Sequence, residues 1–231
     1  MRIETLLVTG ENNHDWARSA PFCVDLLQGT GKFSVDLTDQ PSQALADPAN
    51  LSRYQLIFID YNGSDWDPAA KDNFVDCVRN GAGVCILHAA NNGFVGWKAF
   101  EEMCAVVWRD GTSRHGSYHE FDVKIIDPDH PITKGLSPIL KDHPDELYGG
   151  LVHLHDTPYE TLATAYSSPA SGGSGRNEPA LIVKSYGQGR IFHCILGHVW
   201  EGGPMDTFDS PDFQRILLRG CQWAATGTAT L

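Results

Sequence analysis

Four short apolar runs separated by helical patterns constrain the fold of this chain more than any other feature. They are TLLVTG (5–10), FSVDLT (33–38), YQLIFIDY (54–61) and GVCILHA (83–89). Each is too short for a helix and is bounded by turn-forming residues, so each reads as a buried strand. Between them, ARSAPFCVDLLQGTG (17–31) and PAAKDNFVDCVRNGAG (68–83) carry helical patterns. The second opens with Pro68 in its first turn and stops at Gly81, as helix start and stop signals require. Strands alternating with helices predict a three-layer α/β fold, a mostly parallel sheet flanked by helices on both faces.

The rhythm changes after Gly93. GWKAFEEMCAVVW (96–108) predicts a helix, and HEFDVKIID (119–127) alternates like a half-buried strand. DHPITKGL (129–136) reads as a turn leading into a short element, and TPYETLATAYS (157–167) as another strand. The Gly/Ser/Pro-rich segment 167–179 joins two strands, because both flanks share one α/β rhythm. PALIVKSYGQGRIFHCILGH (179–198) predicts a late β-hairpin about Gly-Gln-Gly. The chain ends in an amphipathic helix over 210–227, with Ser210 as N-cap and Pro211 at its first position.

A chain of 231 residues suits one large domain, 1–231. The net charge of −12 and the lack of any long basic cluster argue against nucleic acid. No apolar run approaches the ~18 residues of a membrane span. MRIETLLVTG reads as a first strand and not as a signal peptide, so the expected location is the cytoplasm. The six cysteines form no C-x-x-C pair, and Cys85 and Cys194 sit in apolar runs, which predicts a reduced, buried set.

In open α/β sheets ligands bind at the carboxyl ends of strands. Here those ends deliver GENNHDW (10–16), DYNGSDW (60–66), His88-Ala-Ala-Asn-Asn and LGHVWEGG (196–203). His88 is then a catalytic group, a metal ligand or a turn-closing residue. In HPDELYGG (143–150), the adjacent Asp145 and Glu146 point different ways in a strand or turn, so one of them reaches a shared pocket as an acid or base. The competing assignment makes Asp145 a helix cap. His14, His88, His198 and Glu146 are donor types suited to a divalent metal. His115-x-x-x-His119 lacks a helical context, and His153-x-His155 fits a polar strand face as well as a metal site. No dinucleotide fingerprint, P-loop or G-x-S-x-G elbow is present.

The ordered set GENNHDW, GAGVCILHAA, DHPITKGL, DELY, GQGRIFHCILGH and RGCQWAATG resembles the trehalose-utilisation (ThuA-like) family from about residue 3 to 227. That resemblance implies a class I glutamine amidotransferase-like, flavodoxin-like fold. Amidotransferases carry a nucleophilic cysteine at the turn after a central strand; here that turn holds His88, and Cys85 is withdrawn into the strand, which excludes a cysteine glutaminase. Carried over residue by residue, His14, His88, Glu146 and His198 match the family's polar positions. The family is associated with disaccharide catabolism and, in the pathway, with 3-keto sugars.

The resulting expectation is a cytoplasmic enzyme acting on a disaccharide or keto-sugar glycoside. His88 or His198 would serve as base and Glu146 as partner acid. In the metal-assisted form His14, His88 and His198 would instead be ligands of a divalent ion. Trp16, Asn91, Asn92, Tyr148 and Trp200 form the expected substrate-binding set, with Trp66 as a further platform. A non-catalytic sugar-binding or regulatory protein on the same scaffold is the alternative. The expected partner is a small-molecule sugar, and self-association through a sheet edge or the terminal helix is compatible with the pattern.

Overall fold

The structure, a computed structural model, describes residues 2–231. The strands are β1 (Ile3–Val8), β2 (Phe33–Thr38), β3 (Leu56–Ile59), β4 (Gly83–Leu87), β5 (Arg114–His115), β6 (His119–Ile125), β7 (Ile139–Asp145), β8 (Tyr148–Gly149), β9 (Glu160–Tyr166), β10 (Asn177–Tyr186) and β11 (Gly189–Cys194). The helices are α1 (Trp16–Gly29), α2 (Pro41–Ala44), α3 (Pro48–Leu51), α4 (Pro68–Arg79), α5 (Lys98–Cys104), α6 (Asp206–Asp209) and α7 (Pro211–Thr226).

Nine strands form one sheet in the order β2-β1-β3-β4-β11-β10-β9-β6-β7. The first five run parallel, and the hairpin β10–β11 turns the sheet into an antiparallel extension of β10, β9, β6 and β7. The predicted α/β sheet, the late hairpin and the terminal helix are all present. Ser210 accepts the Phe213 N–H, as its N-cap assignment requires.

Period-2 alternation in the parallel strands divides their side chains between two cores. Leu7, Leu56, Phe58, Cys85, Leu87 and Phe192 face α1 and α7. Leu6, Val8, Ile57, Ile59, Val84 and Ile86 face α4 and α5. Strands buried on both faces must be apolar throughout, which is why these runs were continuous and not alternating.

Contact between α7 and the sheet is close. A Cβ added to Gly83 would lie 2.3 Å from the Ala224 carbonyl carbon and oxygen, backbone atoms that cannot rotate away. Gly83→Ala therefore forces the helix off the strand. A loss of about 2 kcal/mol, read as a lower midpoint in chemical denaturation with unchanged slope, is the expected result.

All six cysteines are free, and five are buried. Burial first, then Cys221, Cys194 and Cys23, push the Cys85 thiol well above its ordinary value. It is a core hydrophobe, as its place in the strand suggested.

Candidate active site

At the carboxyl end of β4 the chain turns sharply into a 3-10 helix, His88–Asn92. His88 opens it with φ +41°, a left-handed conformation unusual for a residue with a Cβ. Alongside runs the segment after β11, where Gly197 has φ +126° and where a Cβ would lie 2.9 Å from Leu87 Cδ1. Glycine is needed there on both counts. Its passage brings His198 against His88, and the segment after β1 brings His14 to the same point.

Three imidazoles converge. His14 Nε2 lies 2.9 Å from His198 Nδ1, and His88 Nε2 lies 3.3 Å from the same atom. Partners on the far side of two rings fix their tautomers. His88 Nδ1–H donates to the Ile195 carbonyl at 2.6 Å, and His14 Nδ1–H donates to Asn13 Oδ1 at 2.9 Å. Both Nε2 atoms thus present lone pairs inward, and one proton on His198 Nδ1 cannot serve two acceptors. Burial first, then the charges of neighbouring histidines, depresses His14 to about 3. The same causes put His88 well below its ordinary value, and burial lowers His198. The cluster is held neutral, the state in which imidazole binds a metal.

Glu146 stands at its edge, Oε1 3.4 Å from His198 Nδ1 and Oε2 3.0 Å from His115 Nδ1. Burial raises its carboxyl to about 7, His115 lowering it and Asp145 raising it. The Tyr148 ring stacks on His88 at 4.2 Å, and its hydroxyl lies 3.5 Å from His14 Nε2. A cavity of about 430 Å³ opens over these groups, lined by His14, His198, Glu146, Tyr148, Trp108 and Trp200 among others. Its volume suits a small organic ligand. Asn92 also lines it.

Other expected site residues lie elsewhere. Asn91 is fully buried and donates from Nδ2 to His193 Nε2 at 3.1 Å, so it faces the core beside the hairpin and not the cavity. Trp16 begins α1 half-buried, outside the cavity lining. Trp66 is buried among Phe74, Phe94 and Trp97 and offers no platform. His119 Nδ1–H donates to Ser117, His153 Nε2–H to the Thr157 carbonyl, and His155 Nε2–H to Glu101. Among the described residues, only His14, His88 and His198 form a cluster suited to an ion.

Asp145 is no helix cap. It ends strand β7, fully buried, and its carboxylate accepts from the backbone N–H groups of Gly197 (2.8 Å), His198 (3.0 Å) and Glu146 (2.7 Å). His115 and Trp108 join the site unannounced by their sequence context.

Asp60 supports the site from beneath. Its buried carboxylate accepts from Ser19 Oγ at 2.6 Å and Asn12 Nδ2 at 2.9 Å, and Asn12 Oδ1 in turn accepts the His14 N–H at 2.9 Å. Burial raises Asp60 to about 6, against the lowering effect of these two bonds. A carboxyl whose folded value exceeds its unfolded value stabilises the fold below that window and loses the contribution as pH rises from about 4 to 6. Asp60→Asn removes that dependence. The stability of the variant relative to the native chain is expected to climb by on the order of 3 kcal/mol between pH 4 and pH 7, measured by paired denaturant titrations.

Comparison with known proteins bears on this arrangement. The family model for trehalose utilisation, ThuA, matches residues 4–224. The chain belongs to the ThuA family. A ThuA-like protein of Parabacteroides merdae has 35% sequence identity and a TM-score of 0.90, over 100% of this chain and 92% of that one. A second ThuA-like protein, from Bacteroides uniformis, has 19% identity and a TM-score of 0.76, over 99% and 93% of the two chains. A cytoplasmic protein of Salmonella typhimurium shares the fold at 16% identity and TM-score 0.65, over 96% and 99%. Among curated proteins none matches the sequence. No helix of the described ThuA-family chain is long and apolar enough to cross a membrane.

Proposed function

We propose that this ThuA-family protein is a sugar-catabolic enzyme acting on a disaccharide or keto-sugar glycoside at a site where His14, His88 and His198 hold a divalent metal ion. The observation that carries the proposal is the convergence of three neutral imidazole nitrogens within 4.8 Å of one another. The donor set fits such an ion: metal-binding histidines characteristically donate their other N–H to a carbonyl or amide, as His88 does to Ile195 and His14 to Asn13. Three protein ligands with an open side toward a cavity is the pattern of catalytic sites. A bound ion would supply Lewis acidity to a ketone or hydroxyl oxygen.

The chain's own groups supply the rest. Glu146, at the edge of the cluster with Oε1 3.4 Å from His198 Nδ1 and lining the cavity, is placed to take a proton from the acidified carbon beside a ketone and to return it to a departing oxygen. His88 is buried, its Nδ1–H is committed to Ile195 and its Nε2 would hold the ion, so in this reading the general-base role passes from His88 to Glu146. Trp200 and Trp108 offer ring surface to a sugar, Asn92 offers its amide to hydroxyls, and Tyr148 lines the same cavity with its hydroxyl 3.5 Å from His14 Nε2.

The test is incubation with a panel of disaccharides and their 3-keto forms, with product identification, before and after chelation. Turnover that chelation abolishes and added metal restores is expected. Turnover indifferent to chelation would overturn the metal assignment.

A further inference from the structure

Strands β5 and β8 form a two-residue ribbon with unlike faces. Residues directly opposed in an antiparallel pair point to the same side, and consecutive residues to opposite sides. His115 opposes Tyr148 and Arg114 opposes Gly149. His115 and Tyr148 line the three-histidine cavity, so Arg114 belongs to the reverse face. There a second cavity of about 520 Å³ is lined by Arg114, Arg176, Thr112, Ser174 and His153 among others. A Cβ on Gly149 would lie 3.2 Å from Ser174 Cβ, which sets this face of the ribbon against the segment carrying Ser174 and Arg176.

Charge singles the cavity out. The chain has 29 acidic residues against 17 basic, yet no carboxylate lines this cavity and two guanidinium groups do. Three other cavities carry Asp76, Asp65, or Asp110 with Glu146. The neighbouring carboxylate, Glu178, is buried and already engaged by the Gly150 N–H at 3.2 Å, the Ser174 hydroxyl, and Arg176 at 3.6 Å. Six arginines pair with carboxylates and two more donate to carbonyls. Among the described residues, Arg114 and the terminal Arg2 are the arginines with neither kind of partner. Arg114 thus presents five unspent N–H donors to a concave surface in an otherwise acidic protein.

We infer that this second cavity binds a small oxyanion-bearing molecule, a phosphate ester or a carboxylate, between Arg114 and Arg176. Planar guanidinium forks match the paired oxygens of both groups, and charge-assisted bonds to them are the strong ones. The concave shape and the lack of a basic run in the sequence favour a small molecule over nucleic acid, which would need a longer track of cations. The inference stands apart from the metal assignment, because the ribbon separates the two cavities.

Calorimetric titration with inorganic phosphate, and separately with citrate, tests it in the native chain and in Arg114→Gln, Arg176→Gln and His14→Ala. Arg114 is exposed and makes no contact that the fold needs, and circular dichroism verifies each variant. Saturable binding is expected, weakened about tenfold or more in both arginine variants, unchanged in His14→Ala and weaker at high salt. The tighter of the two arms distinguishes phosphate ester from carboxylate. Absence of saturable binding in both arms overturns the inference. So does binding that survives Arg114→Gln unchanged, or binding lost in His14→Ala, which would place the anion at the three-histidine cavity.

Discussion

His14→Ala is expected to lower affinity for divalent metal by about a thousandfold or more while leaving the fold intact. One of three nitrogen ligands disappears, and the neighbouring oxygens are poor replacements: Asn13 Oδ1 is held by Asn62 Nδ2 at 2.6 Å, the Glu146 carboxylate is drawn to the cluster's edge by His115 Nδ1 at 3.0 Å, and the buried Tyr148 hydroxyl is kept protonated by desolvation. His14 is half-buried at a loop, and its backbone N–H bond to Asn12 survives the substitution. Stability in the absence of metal should therefore change by less than about 1 kcal/mol. His88→Ala gives a different balance. It removes the same kind of ligand but also strands the Ile195 carbonyl in the core, adding roughly 1–3 kcal/mol of destabilisation. Equilibrium dialysis against zinc, paired with thermal melts of the metal-free protein, separates the two effects. Unchanged zinc affinity in His14→Ala would remove the three-imidazole assignment.

The parts legible in the sequence were those written in local periodicity. The runs ending at Val8, Ile59, Leu87 and Cys194 are apolar because both faces of a parallel strand are buried, and their carboxyl ends named three of the histidines that meet. Strand β7 was missed for a physical reason. Its inward positions are Leu140, His143 and Asp145, two of them polar, and Asp142 at φ +52° sits where the pairing with β6 slips register. A bulge of this kind breaks the period-2 signal at the point where polar groups turn inward. Without that strand the parity of Asp145 and Glu146 could not be read, although the expectation that only one of them enters the pocket is what the structure shows. The ribbon of β5 and β8 is two residues long on each side, below any periodic signal, so His115 had no local cue. Asn91 and Asn92 are neighbours in sequence, and only the 3-10 turn after β4 sends one into the core and the other to the cavity.

Asp145→Asn tests the support behind the site. Three backbone N–H groups, on Glu146, Gly197 and His198, converge on the two carboxylate oxygens, and His143 Nε2 adds a fourth approach at 3.3 Å. An amide keeps one oxygen and turns its NH₂ toward donors that need an acceptor. At least one buried N–H is left unpaired, and hydrogen bonds to a full charge are replaced by bonds to a dipole. Destabilisation on the order of 3 kcal/mol is expected. The same bonds join the end of β7 to the segment after β11, so the loss also frees His198 from the position that faces His14 and His88. Outer supports of metal ligands characteristically contribute about ten- to a hundredfold in affinity, and a zinc affinity weakened within that range is expected of the folded variant. The comparison with Gly83→Ala decides between support of the site and general softening. Gly83→Ala loses similar stability far from the histidines and should bind zinc as the native chain does. If the two variants lose metal affinity equally, Asp145 acts through overall stability alone; if only Asp145→Asn loses it, the carboxylate holds His198 in register for the ion.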